Sequence, residues 1–252
     1  MVDALFTDSF LPRQPQELAP GVVHLPGWLT AEQQDFLVAQ FHRWGAGSIP
    51  PHHPEIYGKK MSVKLTSLGW HWSNYSYSQS APEFGGRAPS PVPDWLVGVG
   101  RKALQDAYSS SHTSYWPQLS EAELAAWAET YSPDMALINY YAPGTSMGMH
   151  QDKEERCSAP VVSLSIGQTA LFRAGNTETK TRPYQDILLA SGDLLVFGGP
   201  SRFMYHGVPK LLEGTTPPGC LLPEGRINIT LRVTGLHPPE KQSESILRAE
   251  GE

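Results

Sequence analysis

The stretch RINITLRV, residues 226–233, alternates without a break. Ile227, Ile229, Leu231 and Val233 fall on one face of an extended chain, and Arg226, Asn228, Thr230 and Arg232 on the other, because successive strand side chains point to opposite sides of a sheet. The run predicts a strand whose polar face is either solvated or lines a site. Two arginines and an asparagine on one face suit a dicarboxylate, since guanidinium groups grip carboxylates through paired hydrogen bonds. Arg226 and Arg232 stand roughly 20 Å apart along such a strand, so they could hold one small diacid only by leaning in from opposite ends.

Working outward, the same β-type signal recurs from Met135 in short runs bounded by turn residues: MALINYY, VVSLSIG, ALFRA, DILLA, DLLVFGG and RFMYHG. With the opening strand these make seven, which predicts a sandwich, a jelly roll or a small barrel. Upstream the pattern is helical. Thr30 and Gln33 have capping-box spacing and Leu37, Phe41 and Trp44 share a face, predicting a helix that GAGSIPPHHPE then ends. His52 and His53, set between prolines, read as loop residues rather than metal ligands. KKMSVKLTSLGWHWSNYSYS, residues 59–78, alternates and is rich in aromatics, as strands or a hairpin would be. Asp94 is expected to cap a helix reaching about Tyr108, with Leu96, Val97 and Leu104 as its stripe. Ser120 and Glu123 mark a second, short helix carrying Leu124 and Trp127. Residues 1–27, with Pro12, Pro15, Pro20 and Pro26, read as irregular, and the tail after His237 as frayed.

Composition bounds the class. A chain of 252 residues, 40% hydrophobic and 17% charged, suits one globular unit, and 23 Gly with 23 Pro imply many turns and few long helices. Two cysteines cannot build a disulfide framework, which favours a reducing compartment; Cys157 reads as a plain free thiol. MVDALFTDSF lacks the basic start and apolar run of a signal peptide, and DILLASGDLLVFGG is interrupted by Asp193, so no bilayer span is expected and the protein reads as soluble and cytoplasmic. The formal net charge of −6 argues against general nucleic-acid binding. Yet YGKKMSVK holds Lys59, Lys60 and Lys64 without an acid, and FRAGNTETKTR sets Arg173, Lys180 and Arg182 against Glu178. A local basic surface and ordinary solvated charge both fit this pattern.

The metal-ligating candidates lie in NYYAPGTSMGMHQDKEER, residues 139–156, which sets His150 and Asp152 two residues apart. At a strand edge both would point the same way, forming two legs of a facial triad. His206, closing RFMYH and followed by glycine, is the best third leg. Two histidines and a carboxylate suit Fe(II) with open coordination positions. In a chain with nine histidines the His-x-Asp pair carries little weight by itself. Met147 and Met149 read as packing residues, Trp70 and Trp72 as core aromatics, and Ser163 and Ser165 as structural.

Together, LINYYAPG…MHQDKEE, APVVSLSIG, SGDLLVFGGPSRFMYHGV and RINITLR, in that order, resemble the AlkB family of Fe(II)- and 2-oxoglutarate-dependent dioxygenases, which remove alkyl groups from nucleobases. The resemblance is dense from about Met135 to Gly235 and thinner over MSVKLTSLGWHW. It does not cover residues 105–134, which read as a helical insertion. It implies a mainly β fold with flanking helices: a double-stranded β-helix (jelly-roll) core over residues 135–237, forming one structural unit with an N-terminal nucleotide-recognition lid. Residues 1–134 would hold the extension, lid and insertion, and residues 238–252 a flexible tail.

The resemblance also implies roles. His150, Asp152 and His206 would be the catalytic iron ligands. Arg226 and Arg232 would bind the carboxylates of 2-oxoglutarate, with Asn139, Tyr141 and Asn228 hydrogen-bonding the same cosubstrate. Trp70 would stack on the alkylated base opposite His150, and Tyr75 would contact base or phosphate. Glu154 would lie near the exocyclic amine, as Glu where related members carry Asp. Lys180 or Arg182 would supply the family's basic residue. The implied reaction is oxidative demethylation of bases such as 1-methyladenine and 3-methylcytosine in alkylated DNA, with RNA as a second substrate. It would consume O2 and 2-oxoglutarate and release succinate, CO2 and formaldehyde, in a repair role and as a monomer. Two alternatives stay open: the same oxygenase chemistry on a protein, lipid or small molecule, and a non-catalytic nucleic-acid-binding module.

Overall fold

The computed structural model describes residues 13–236. The expectations for the N-terminal ten residues and for the tail at 238–252 lie outside them.

Local signals set the helices. Thr30 accepts from the Gln33 backbone and Gln33 reaches back to the Thr30 amide, so α1 (Ala31–Gly45) begins at this capping box and buries Leu37, Val38 and Phe41. In α2 (Asp94–Ala107) the capping position is Pro93, with no side-chain bond; Asp94 is the first helical residue rather than the cap. Its buried stripe is Leu96, Gly100, Ala103, Leu104 and Ala107, leaving Val97 half-buried. Ser120 and Glu123 form the second capping box, opening α3 (Glu121–Glu129).

The strands are β1 (Gln16–Ala19), β2 (Val22–Leu25), β3 (Glu55–Ile56), β4 (Lys59–Lys60), β5 (Lys64–Leu68), β6 (His71–Ser73), β7 (Ser76–Ser78), β8 (Met135–Tyr141), β9 (Met147–His150), β10 (Val161–Gly167), β11 (Ala170–Ala174), β12 (Gln185–Leu189), β13 (Leu194–Phe197), β14 (His206–Leu211) and β15 (Arg226–Arg232). They build a seven-stranded sheet, β1-β2-β13-β10-β15-β8-β5, and a four-stranded sheet, β12-β11-β14-β9, with β3–β4 and β6–β7 as separate hairpins. An apolar core joins the two sheets, with Val161, Leu195 and Phe197 of the large sheet meeting Phe172, Val208 and Leu211 of the small one. This is a jelly roll.

β15 lies inside the large sheet between β10 and β8, and every one of its residues is buried. Ile227, Ile229 and Leu231 join a core shared with α1, α2 and α3. Arg226, Asn228, Thr230 and Arg232 therefore look toward the small sheet, so the polar face is enclosed by protein and not solvated.

Two expectations are corrected here. Residues 13–27 are not irregular, because β2 pairs with β13 and β1 with β2, extending the large sheet. With β5 they make three strands of that sheet that come from before residue 135, so the jelly roll does not begin at that boundary. Residues 105–134, expected as a helical insertion, hold the helix α3 and pack as part of the main core. Leu124, Ala128 and Tyr131 sit in the main core, and the Tyr131 hydroxyl donates to the Pro160 carbonyl at 3.1 Å.

Asp193 ties the N-terminal strands down. Its buried carboxylate accepts two bonds from Arg13 at 2.5 and 2.6 Å, one from His24 Nε2 at 2.9 Å, and the Gly27 and Ala190 amides at 2.9 Å each. Burial alone would raise this carboxyl, but these hydrogen bonds outweigh it and hold the group below the usual carboxylate range. Asp193→Ala should cost about 3–5 kcal/mol at neutral pH, read from urea unfolding, because it strands His24 and Arg13 without their anion. A depressed carboxyl stabilises the fold fully above its unfolded value, about 3.9, and loses that contribution as pH falls through the folded value. The gap between wild type and variant should narrow across that acid window.

Candidate active site

The site grows from one cross-strand pair. His150 is the last residue of β9 and His206 the first of β14, and the antiparallel register sets them opposite each other with ring centroids 4.4 Å apart. His206 was expected to end a strand; it begins one. Asp152 follows two residues beyond His150, with Oδ1 3.7 Å from His150 Nε2 and Oδ2 3.8 Å from His206 Nε2. The three ligand atoms lie within 4.8 Å of one another, the only such cluster among the described residues, so His52 and His53 form none. Each imidazole turns Nδ1 to a backbone carbonyl, His150 to Gly148 at 2.9 Å and His206 to Met204 at 3.1 Å. A carbonyl only accepts, so Nδ1 carries the proton and the Nε2 lone pair is free for a metal. Burial, reinforced by neighbouring His150, pushes His206 down to about 4, which keeps it neutral at pH 7.

Asp152 is buried but ionised. Desolvation would raise its pKa; the Arg232 guanidinium, 2.8 Å away, and then the two histidines hold it well below the usual range. Arg232 also bonds Glu155 at 3.1 Å and the Tyr77 hydroxyl at 3.1 Å, while Tyr77 donates to Glu155 at 2.5 Å. Arg202 closes the network, bonding the second Glu155 oxygen at 3.1 Å and the Asp152 backbone carbonyl at 2.8 Å. Sequence reasoning missed Glu155, Tyr77 and Arg202. The available signals were slight: an acid beside Glu154, a tyrosine two residues after Tyr75, and an arginine in the run that ends at His206.

Below the triad, an inner cavity between the sheets is lined by Asn139, Tyr141, Arg226, Asn228 and Arg232 together with all three triad residues. Arg226 donates to Ser165 Oγ at 2.8 Å, but its Nε and Nη1 have no partner, and neither do Arg232 Nε and Asn139 Oδ1. Asn228 donates to Ser163 Oγ at 2.8 Å, so both serines brace the polar strand face. Buried donors are rarely left unpaired. An enclosed guanidinium with two idle nitrogens beside a metal-ligand set fits an anion that reaches the metal, as 2-oxoglutarate does. Arg226 and Arg232 both border this one cavity, from opposite ends of β15.

Above the triad lies an outer cavity of about 260 Å³, walled by Met61, Trp72, Tyr75, Leu137, Met149 and His150. Trp72 packs edge-to-face on Tyr75, centroids 5.8 Å apart. Trp70, expected opposite His150, is absent from this wall; its indole donates to Asp134 at 3.1 Å. The reason lies at Gly69, which turns the chain at φ 77° so tightly that a Cβ there would fall 1.8 Å from the Asp134 carbonyl oxygen. Met147 and Met149 border the cavity as well as packing. Glu154 is half-buried at its mouth with Oε1 unpartnered, and burial followed by the Asp152 charge pushes its carboxyl up. Lys180 lines the cleft beyond with Tyr75 and Glu154, whereas Arg182 stands over the Tyr184 ring.

This fold and donor set define an Fe(II)- and 2-oxoglutarate-dependent dioxygenase with O2 as cosubstrate, and residues 21–232 match the family model of the 2OG-Fe(II) oxygenase superfamily. The chain is 36% identical to an alpha-ketoglutarate-dependent dioxygenase AlkB homolog of Caulobacter vibrioides, over 87% of this chain and 90% of that protein. It is 30% identical to the DNA N(6)-methyladenine demethylase ALKBH1C of Arabidopsis thaliana, over 85% of this chain and 49% of that one. The solved structure of OsALKBH1 superposes with a TM-score of 0.72 at 31% identity, covering 86% of this chain and all of that one. The chain belongs to the AlkB family.

His150 and Asp152 should separate on substitution. His150 is partly exposed and anchored only through its ring, so His150→Ala should lose tight divalent-metal binding in calorimetry while melting close to wild type. Asp152→Ala should lose metal and also destabilise the fold by about 2 kcal/mol, because it removes a charged partner from buried Arg232.

Proposed function

We propose that this chain oxidatively dealkylates nucleobases in DNA, with RNA as a second substrate, taking bases such as 1-methyladenine and 3-methylcytosine. The observation that carries this reading is the outer cavity: an apolar, aromatic slot bordered by Trp72 and His150, directly over the metal-ligand set. A planar base suits such a slot, and a cationic alkylated ring is drawn to the indole face. The demethylase name of the Arabidopsis relative supports the same substrate class.

Fe(II) and 2-oxoglutarate supply the oxidation of the alkyl carbon by O2, with succinate and CO2 as coproducts and formaldehyde leaving from the hydroxylated methyl. The remaining work falls to side chains. His150, Asp152 and His206 hold the metal; Arg226 and Arg232 take the cosubstrate carboxylates, with Asn139, Tyr141 and Asn228 fixing its orientation. Trp72 stacks on the base in the role expected of Trp70, Tyr75 closes the slot, and Glu154 accepts from an exocyclic amine. Lys180, better placed than Arg182, faces the phosphate backbone. The base must leave its stack to enter, which costs least for a damaged, poorly paired one. We read the protein as a cytoplasmic monomer acting in repair; no helix among the described residues is long and apolar enough to cross a membrane, and both cysteines are unpaired.

The test incubates the protein with Fe(II), 2-oxoglutarate and a methylated oligonucleotide, and follows succinate and formaldehyde. Oligonucleotide-dependent release of both is expected. Succinate without formaldehyde, unaffected by the oligonucleotide, would leave an oxygenase of some other substrate; binding without any release would leave a non-catalytic module. Trp72→Ala should raise KM for the methylated oligonucleotide about tenfold through lost stacking, with the 2-oxoglutarate KM unchanged. Trp70→Ala should lack that selective effect.

A further inference from the structure

Trp72 rides on the β6–β7 hairpin, which forms a two-stranded sheet of its own. A lone hairpin is marginal in water, so side chains must fix where this one lies. Its register sets Trp72 opposite Tyr77 and His71 opposite Ser78. Neighbours on a strand point to opposite faces. With Trp72 on the cavity wall, His71 therefore points behind it, and it is absent from the lining. On the cavity side, Tyr77 is held by Glu155. Behind the hairpin, His71 is fully buried, and its Nε2 lies 2.7 Å from Glu83 Oε1. Glu83 stands in the short 3-10 turn Pro82–Phe84. Burial alone would raise its carboxyl, but backbone hydrogen bonding and then the His71 bond outweigh it and hold the group below the usual range. It is ionised at neutral pH and only accepts, so His71 Nε2 carries the proton. His52 completes the group. Its ring packs edge-on against Phe84 of the same turn, centroids 4.8 Å apart, and its Nε2 is 3.9 Å from the same Glu83 oxygen. His52 and Leu65 of β5 exchange both backbone hydrogen bonds, at 3.0 and 2.8 Å, which ties the turn to the large sheet.

Stability does not account for the His71–Glu83 bond. His71 Nδ1 is buried without a partner, and an apolar side chain of similar shape would avoid that cost. An apolar side chain cannot supply direction, whereas a hydrogen bond weakens steeply as its angle departs from linear. We propose that His71 and Glu83 are positioning residues for Trp72: their bond fixes β6 from behind, and with it the plane in which the indole meets the base. The inference rests on the stacking role given above to Trp72 and goes beyond it by assigning what holds that ring.

The experiment is a double-mutant cycle between Glu83 and Trp72, read as KM for the methylated oligonucleotide. Glu83→Ala should raise that KM about fivefold, with kcat and the 2-oxoglutarate KM unchanged and melting close to wild type. In the Trp72→Ala background the same change should add about twofold at most, because the contact it orients is already gone. Glu83→Gln still accepts at that place, and the amide nitrogen of His71→Gln can stand in for Nε2, so both should keep most of the wild-type KM. His71→Leu fills the space without a donor and should match Glu83→Ala. Hydrogen exchange gives a reading that needs no substrate: Glu83→Ala should speed exchange of the amides of residues 72–77 about tenfold and leave β8 and β15 at wild-type rates. Equal KM effects in both backgrounds, or wild-type exchange in the hairpin, overturn the positioning role and leave the nucleobase reading intact. A wild type that turns over no methylated oligonucleotide removes that reading and this role with it.

Discussion

The contact between Arg232 and Asp152 is the one on which the site depends. A metal-ligating carboxylate must be ionised, yet this one is buried, and a lone buried charge is costly enough that it would take up a proton instead. Arg232 supplies the opposite charge at 2.8 Å. That guanidinium is itself buried and needs more than one acceptor, which Glu155 provides; Glu155 in turn is held by Arg202 and Tyr77. Two acids and two arginines thus balance inside the fold. Such networks add little net stability, but losing one member strands another charge, so their geometry is strongly held. The ligand oxygen is therefore positioned from a strand in the opposite sheet, not from its own loop.

Arg226 is the member left over. It has no acid within ion-pair distance among the described residues; it donates to Ser165 and lies over the Tyr141 ring, and burial lowers its pKa without removing the charge. A site with an unbalanced cation and a divalent-metal ligand set is electrostatically incomplete until an anion enters. The two cavities then divide the labour. The polar one between the sheets is lined by Arg226 and Asn228; the apolar one beneath the hairpins is lined by Trp72 and Leu137. His150 and Asp152 border both, so an anionic cosubstrate and a flat aromatic substrate would each meet the metal-ligand residues from its own cavity.

What could be read in the sequence follows from how local each signal is. The two capping boxes and the alternation of β15 are written within eight residues each, and the structure holds all three. The enclosure of β15 was not legible, because alternation marks two faces without saying what covers them. β1 and β2 are four residues each, flanked by prolines; β13 offers β2 an edge, and β2 in turn offers one to β1. Trp70 was singled out by the family resemblance, as the Trp of LGW; strand alternation does not separate it from Trp72, which lies two residues on, and the turn at Gly69 leaves the Trp70 indole on Asp134 and Trp72 on the cavity wall. The triad was legible as residue types but not as a cross-strand pair, since His150 and His206 stand 56 positions apart, a separation on which spacing rules are silent.

The net charge of −6 and the basic clusters pointed in opposite directions, and length scale decides between them. Charges separated by more than a Debye length, about 8 Å at physiological ionic strength, are largely screened from one another. Lys153 and Lys180 line the cleft together with Glu154, so the potential there is set by these neighbours more than by the net charge of the chain. The overall negative charge still matters at long range and low salt, where it opposes indiscriminate association with polyanions. On the proposed function, recognition would come mainly from short-range contacts: a stacked base in the slot and the Glu154 carboxyl at its mouth. That reading would place selectivity in Trp72, Tyr75 and Glu154, which line the outer cavity without belonging to the metal-ligand set.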